Sequence, residues 1–155
     1  MHAIPHPARF GGRLAGATLL LLTAGCSGGL GPSEVQLVDA ERKWLAAAVA
    51  DYSMVVTRGT PQGVPIAVQV TVAQGVVTDR RFVATGDPVP AADAAAYPQV
   101  EGLFALVRDA FDRAASVTVS FNATYGFPES IFADFVRSSL DDDVTLAVTE
   151  FTLAP

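Results

Sequence analysis

Apolar residues recur along this chain with two distinct periods. Between 33 and 50 they fall at Leu37, Ala40, Trp44, Leu45 and Ala48, a three-and-four spacing that lines one face of a helix. Ser33, followed three residues later by Gln36, has the form of a capping box, so the helix is predicted to start at Ser33 and end near Ala50. Residues 52–57 are rich in strand formers. Ile66, Val68, Val70 and Val72 then alternate with Ala67, Gln69, Thr71 and Ala73, the two-residue period of a half-buried strand. Gln74-Gly75 supplies a tight hairpin turn, because glycine accepts positive φ, and 76–84 returns antiparallel.

A long Pro/Ala-rich connection over 85–98 follows, and Pro98 sits where a helix commonly begins. Val100, Leu103, Phe104, Val107 and Phe111 form the most regular helical stripe in the chain. Three further strands are predicted: Val117, Val119 and Phe121 alternate with polar residues, 128–137 follows a turn, and Val144, Leu146 and Val148 alternate again. The order is α-β-β-β-α-β-β-β. The fold class is therefore α+β: an antiparallel sheet of about six strands with two helices on one face, burying both apolar stripes.

Length and composition place the chain as one domain. Its 155 residues are 50% hydrophobic and 17% charged, enough for a packed core. The net charge of −6, with no basic stripe, argues against nucleic acid as a partner, since phosphate backbones repel an acidic surface.

The amino terminus changes the picture. Arg9 and Arg13 precede an apolar core over 14–24, which as a helix would be about 17 Å long, too short for a hydrocarbon slab of roughly 30 Å. This is the form of an export signal over residues 1–25. The single cysteine, Cys26, stands directly after it. Leu22-Thr23-Ala24-Gly25-Cys26 resembles the lipobox of bacterial lipoproteins, with Thr23 in place of the usual aliphatic residue. The resemblance implies that Cys26 is lipidated and becomes the first residue after cleavage, with 26–32 a flexible tether and 33–155 the folded domain. The expected location is extracytoplasmic, with the membrane held through lipid on Cys26: the outer face of the cell membrane, or the outer membrane if two are present. Ser27 is not the aspartate that retains lipoproteins at inner membranes, which implies sorting outward in a two-membrane organism and the outer face in a one-membrane organism.

Processing also removes both histidines, His2 and His6, and uses the only thiol. Serine–histidine and cysteine–histidine nucleophiles and the common zinc sites are thereby excluded, and no cofactor is implied. The chain is expected not to be an enzyme. The alternatives are a carboxylate-dependent hydrolase of envelope glycans, which needs only two acids at a set separation, and a carrier of small apolar ligands.

Several segments together resemble an uncharacterised bacterial lipoprotein family, Domain of Unknown Function 6174. They are Trp44 with Tyr52, the VQVTVAQGVV hairpin from Val68, the VEGLFALVRDAF helix from Val100, VSFNATYGFPESIFADF from Val119, and Asp141-Asp142-Asp143. Many members of that family carry a cysteine pair after the first strand. Here the region reads Arg58-Gly59-Thr60-Pro61-Gln62-Gly63, so any role of such a pair is missing. The family implies no activity and no site residues.

The residues themselves offer two candidate sites. Tyr125, Gly126, Phe127 and Pro128, with Asp134, put aromatics in a turn between strands and form a candidate recognition edge. The competing reading is structural: Gly126 turns the chain, Phe127 plugs the sheet end and Pro128 opens the next strand. Asp141, Asp142 and Asp143 are candidates for a Ca²⁺ site by their carboxylates, but the segment lacks the alternating ligands and glycine of a calcium loop. The expectation is a lipid-anchored domain that binds an envelope protein or a cell-wall component through its open sheet face or its long loop.

Overall fold

The structure, a computed structural model, describes residues 32–59, 63–136 and 143–154. Residues 1–31, which hold the expected export signal, Cys26 and most of the expected tether, lie outside the described residues, as do Asp141 and Asp142. Two helices and six strands follow in the order α1 (Pro32–Ala47), β1 (Tyr52–Gly59), β2 (Ile66–Ala73), β3 (Val76–Phe82), α2 (Val100–Arg113), β4 (Ser116–Phe121), β5 (Pro128–Asp134) and β6 (Val144–Leu153). A single 3-10 turn, Ala94–Ala96, interrupts the long connection. All strand pairs are antiparallel, and the sheet runs β3-β2-β1-β6-β5-β4. The α+β expectation holds in class, element order and strand number.

The alternation read from β2 sets the core. Val68, Val70 and Val72 are buried, as are Tyr52, Met54 and Val56 opposite them on β1. Leu146 and Val148 of β6 and Ile131 and Ala133 of β5 continue the same face. Against it α2 lays Val100, Leu103, Phe104, Val107 and Ala110, and α1 adds Leu37, Ala40 and Trp44. The hairpin turn is the predicted one: Ala73 pairs with Val76, and Gln74 and Gly75 both have positive φ, the backbone of a two-residue primed turn.

Several local expectations shift. α1 starts one residue before Ser33, placing Ser33 inside the first turn, and it ends at Ala47 because Ala48 turns to φ +49°. Leu45 is 76% exposed and Ala48 is exposed as well. The buried stripe of α1 is only Leu37, Ala40 and Trp44, and Leu45 points about 100° round the helix from Trp44. α2 begins at Val100, two residues after Pro98. β3 stops at Phe82, because the Gly86 N–H donates back to the Phe82 carbonyl and closes a turn.

β6 departs most from its sequence pattern. The alternation through Val144, Leu146 and Val148 predicts an inward residue at 150. Instead Glu150 takes φ +52° and is exposed, within a bulge opposite the Ser53-to-Val55 step of β1. The extra residue reverses the phase, and Phe151 turns into the core.

Candidate functional site: an uncovered sheet face beside a buried aromatic turn

Both helices pack on one side of the sheet, and among the described residues no layer lies on the other side. Register fixes what that side presents. Ala67 on β2 pairs with Thr57, Thr57 with Ala147 on β6, Ala147 with Ser130 on β5, and Ser130 with Ser120 on β4. The Ser120 and Ser130 hydroxyls are hydrogen-bonded at 2.6 Å. This row crosses five strands and holds nothing larger than threonine. The next row reads Gln69, Val55 and Thr149, and the one on the other side Gly59, Thr145, Phe132 and Thr118. Across β2, β1, β6, β5 and β4 these three rows contain no charged residue, and the Gln69 row continues onto β3 as Arg81. The ion pair Asp79–Arg81 (2.7 Å) flanks them on the outer strand β3.

The turn singled out from sequence lies on the helix side at one end of the sheet. Asn122 organises it: its side-chain oxygen accepts from the Thr124 and Tyr125 N–H groups, its own N–H donates to the Phe127 carbonyl, and its amide donates to Glu129. Gly126 has φ +84°, and a Cβ there would stand 2.4 Å from the Ala40 carbonyl oxygen of α1. The Lys43 ammonium donates to the Ala123 carbonyl from the same helix. Phe127 is 2% exposed and Pro128 is buried. Phe127 stacks on Phe151 at 4.5 Å, and Trp44, Tyr52 and Tyr125 also surround Phe151, with centroids at 5.2–6.1 Å.

The turn therefore sits in packing, with Tyr125 half-buried as its most accessible ring. Asp134 closes the far end of β5, six residues from Pro128 and thus about 20 Å away. The structure does not bring Asp134 together with Tyr125–Pro128. It sets Asp134 at the strand end near Asp143, just before Val144, which pairs with Ala133. Among the described residues no group of three or more His, Cys, Asp or Glu side chains is placed to hold a metal ion.

Two glutamates share a small cleft of about 160 Å³ between the helices, with Trp44 and Arg108. Both are engaged. Glu41 pairs with Arg108 at 2.5 Å, and Glu101 accepts from the Trp44 indole N–H at 3.0 Å and from Gln99 at 2.9 Å. The cleft is smaller than the roughly 300 Å³ at which ligand pockets begin. A larger groove of about 330 Å³ opens between α2, the Ala94–Ala96 turn and the ends of β1 and β6, lined by Leu106, Pro98, Val144, Leu146 and Arg58. No described helix is long and apolar enough to cross a membrane.

The face residues were not legible as a site in the sequence, where they are merely the polar half of each alternation. The available signal was their size: Ala67, Thr57, Ala147, Ser130 and Ser120 are all small. Phe151 was missed because the bulge that turns it inward breaks the period.

These features define a small α+β domain built on one antiparallel sheet, with one face uncovered among the described residues. The chain belongs to the Family of unknown function (DUF6174), whose model matches residues 36–153. Comparison with curated proteins and with solved structures gave no match.

Proposed function

We propose that this chain is a lipid-anchored, extracytoplasmic, non-catalytic domain that binds an envelope protein or cell-wall component through its uncovered sheet face. The observation that carries the reading is the uncharged row Ala67–Thr57–Ala147–Ser130–Ser120 on a sheet whose other face holds both helices. Small side chains lose little rotamer freedom on contact, and depletion of charge marks the centre of protein interfaces. Cys26 lies only six positions ahead of the start of α1, a reach of about 20 Å, so acylation there would hold the domain close to the lipid.

The test uses intact cells of the source organism. A photo-crosslinking residue at Gln69 or Thr149 is expected to enrich one partner over the same probe at Arg42 on the helix side. Equal labelling from both sides would remove the sheet face from the reading. Cys26→Ala is expected to move the chain out of the membrane fraction, and unchanged membrane retention would refute the anchor.

The groove beside Leu106 favours a second reading, a carrier of small apolar ligands. Native mass spectrometry of the purified chain separates the two: a co-purifying ligand lost on Leu106→Arg would favour the carrier.

A further inference from the structure

The two edges of this sheet are finished differently. β3 carries Asp79, Arg80 and Arg81 and a bulge opposite Thr71 and Val72. Its outward backbone groups are taken by the chain that follows: Phe82 N–H donates to Asp87, Val89 N–H donates to Arg80, and Arg81 bridges Pro88. Charges, bulges and covering segments are the devices that keep a sheet edge from pairing. Among the described residues, β4, the opposite edge, has none of them along most of its length. Its sequence is SVTVSF, with no charge and no proline, and its only irregularity falls at the last step, Ser120 to Phe121. Ser116, Thr118 and Ser120 are exposed, and Val117 and Val119 are half-buried.

The same five residues read identically in both directions: Ser116-Val117-Thr118-Val119-Ser120. A two-fold axis through Thr118 would set Ser116 opposite Ser120 of a second copy, Val117 opposite Val119, and Thr118 opposite Thr118. An interface between identical chains about a two-fold axis must be complementary to itself, and a palindromic edge strand meets that condition at every position. Valine–valine and threonine–threonine cross-strand pairs are favourable, and no like charges meet. An arbitrary partner strand imposes no such symmetry.

We infer that β4 pairs antiparallel with β4 of a second copy of this chain, in the register centred on Thr118. About four to six inter-chain backbone hydrogen bonds would form, whichever alternate set of β4 groups faces outward. Residues opposite each other in a ladder share a face, so both helix layers fall on one side and both uncovered faces on the other. The dimer thereby doubles the surface assigned above to a partner, but the inference depends on neither that assignment nor the anchor. A contact of this length belongs to the weak class below about 1,200 Å², so trapping is a better probe than mass alone.

The experiment uses the full-length chain in detergent with Cys26→Ser, so that an introduced thiol is the only one. Thr118→Cys would place two Cα atoms about 4.5–5.5 Å apart, within disulfide range. Under mild oxidation it is expected to give a covalent dimer at least about tenfold faster than Gln69→Cys on the open face. Adding Ser116→Lys with Ser120→Lys puts lysine opposite lysine and is expected to cut that rate by about tenfold, whereas Ser116→Lys with Ser120→Glu puts lysine opposite glutamate and restores it. A Thr118→Cys chain that crosslinks no faster than Gln69→Cys overturns the inference and leaves the edge to a different occupant. Equal rates in the two charge variants overturn the register.

Discussion

The Tyr52 hydroxyl accepts a hydrogen bond from the Val100 backbone N–H at 3.1 Å, so the first residue of β1 caps the first turn of α2. The Gln99 side chain makes no cap bond. A helix start leaves orphan N–H groups, and here one of them is satisfied from 48 residues away. Burial pushes the Tyr52 hydroxyl well above the ordinary tyrosine range, outweighing the opposite pull of the Val100 bond, and the Glu101 charge adds to the rise. Burial raises Tyr97 as well, against the nearby Arg58.

A raised tyrosine pKa links stability to alkaline pH. Below about pH 10 both folded and unfolded chains keep the proton, and the contribution is constant. Above that, the unfolded chain releases it while the folded chain holds it, so stability falls as pH rises toward the folded-state value. Chemical denaturation at pH 8 and pH 11 is expected to show this loss. Tyr52→Phe should lower stability at pH 8 by about 1–3 kcal/mol, by orphaning the Val100 N–H, and should flatten the alkaline fall. Tyr97 leaves a residual slope.

Gly126 and Gly75 both have positive φ but differ in surroundings. Gly75→Ala meets nothing within 4 Å and should cost about 1–2 kcal/mol of backbone strain. Gly126→Ala drives a Cβ against the Ala40 carbonyl of α1 and should cost about 2–4 kcal/mol, with α1 displaced. Urea midpoints of the two variants compare them directly. Equal losses would mean that the close approach to α1 carries no energy.

Phe151 joins four aromatic rings, so Phe151→Ala should destabilise by about 3 kcal/mol or more. Glu150 holds the bulge that aims it, in a left-handed backbone that glycine adopts freely. Glu150→Gly is therefore expected to be neutral or to stabilise by up to about 1 kcal/mol. A loss above that size in thermal melts would place Glu150 in a contact of its own.

Arg80 lies on the helix side of β3 and donates to the Tyr97 carbonyl at 2.8 Å, while its neighbour Arg81 bonds Asp79 and Gly86 on the other side. Arg80→Met keeps the aliphatic stem and removes the donor. Amide exchange over 94–99 should quicken by about tenfold, the equivalent of one charge-assisted hydrogen bond, while exchange in β4 and β5 stays unchanged.

Much of this fold is written in local periods. A strand alternates and a helix repeats every three to four residues whatever it packs on, so 66–73, the Gln74-Gly75 turn and the Val100–Val107 stripe could be placed without tertiary information. So could the absence of histidine after His6 and the lipobox-like form around Cys26. What period cannot give is which neighbour closes a contact. Tyr52 as the cap of α2, Gly126 pressed on Ala40 and Phe151 turned in by a bulge each join residues far apart in the chain. Strand order lies at the same level: only when β6 inserts between β1 and β5 do scattered alanines, serines and threonines become one continuous face, and only then does Ser116–Phe121 become an edge.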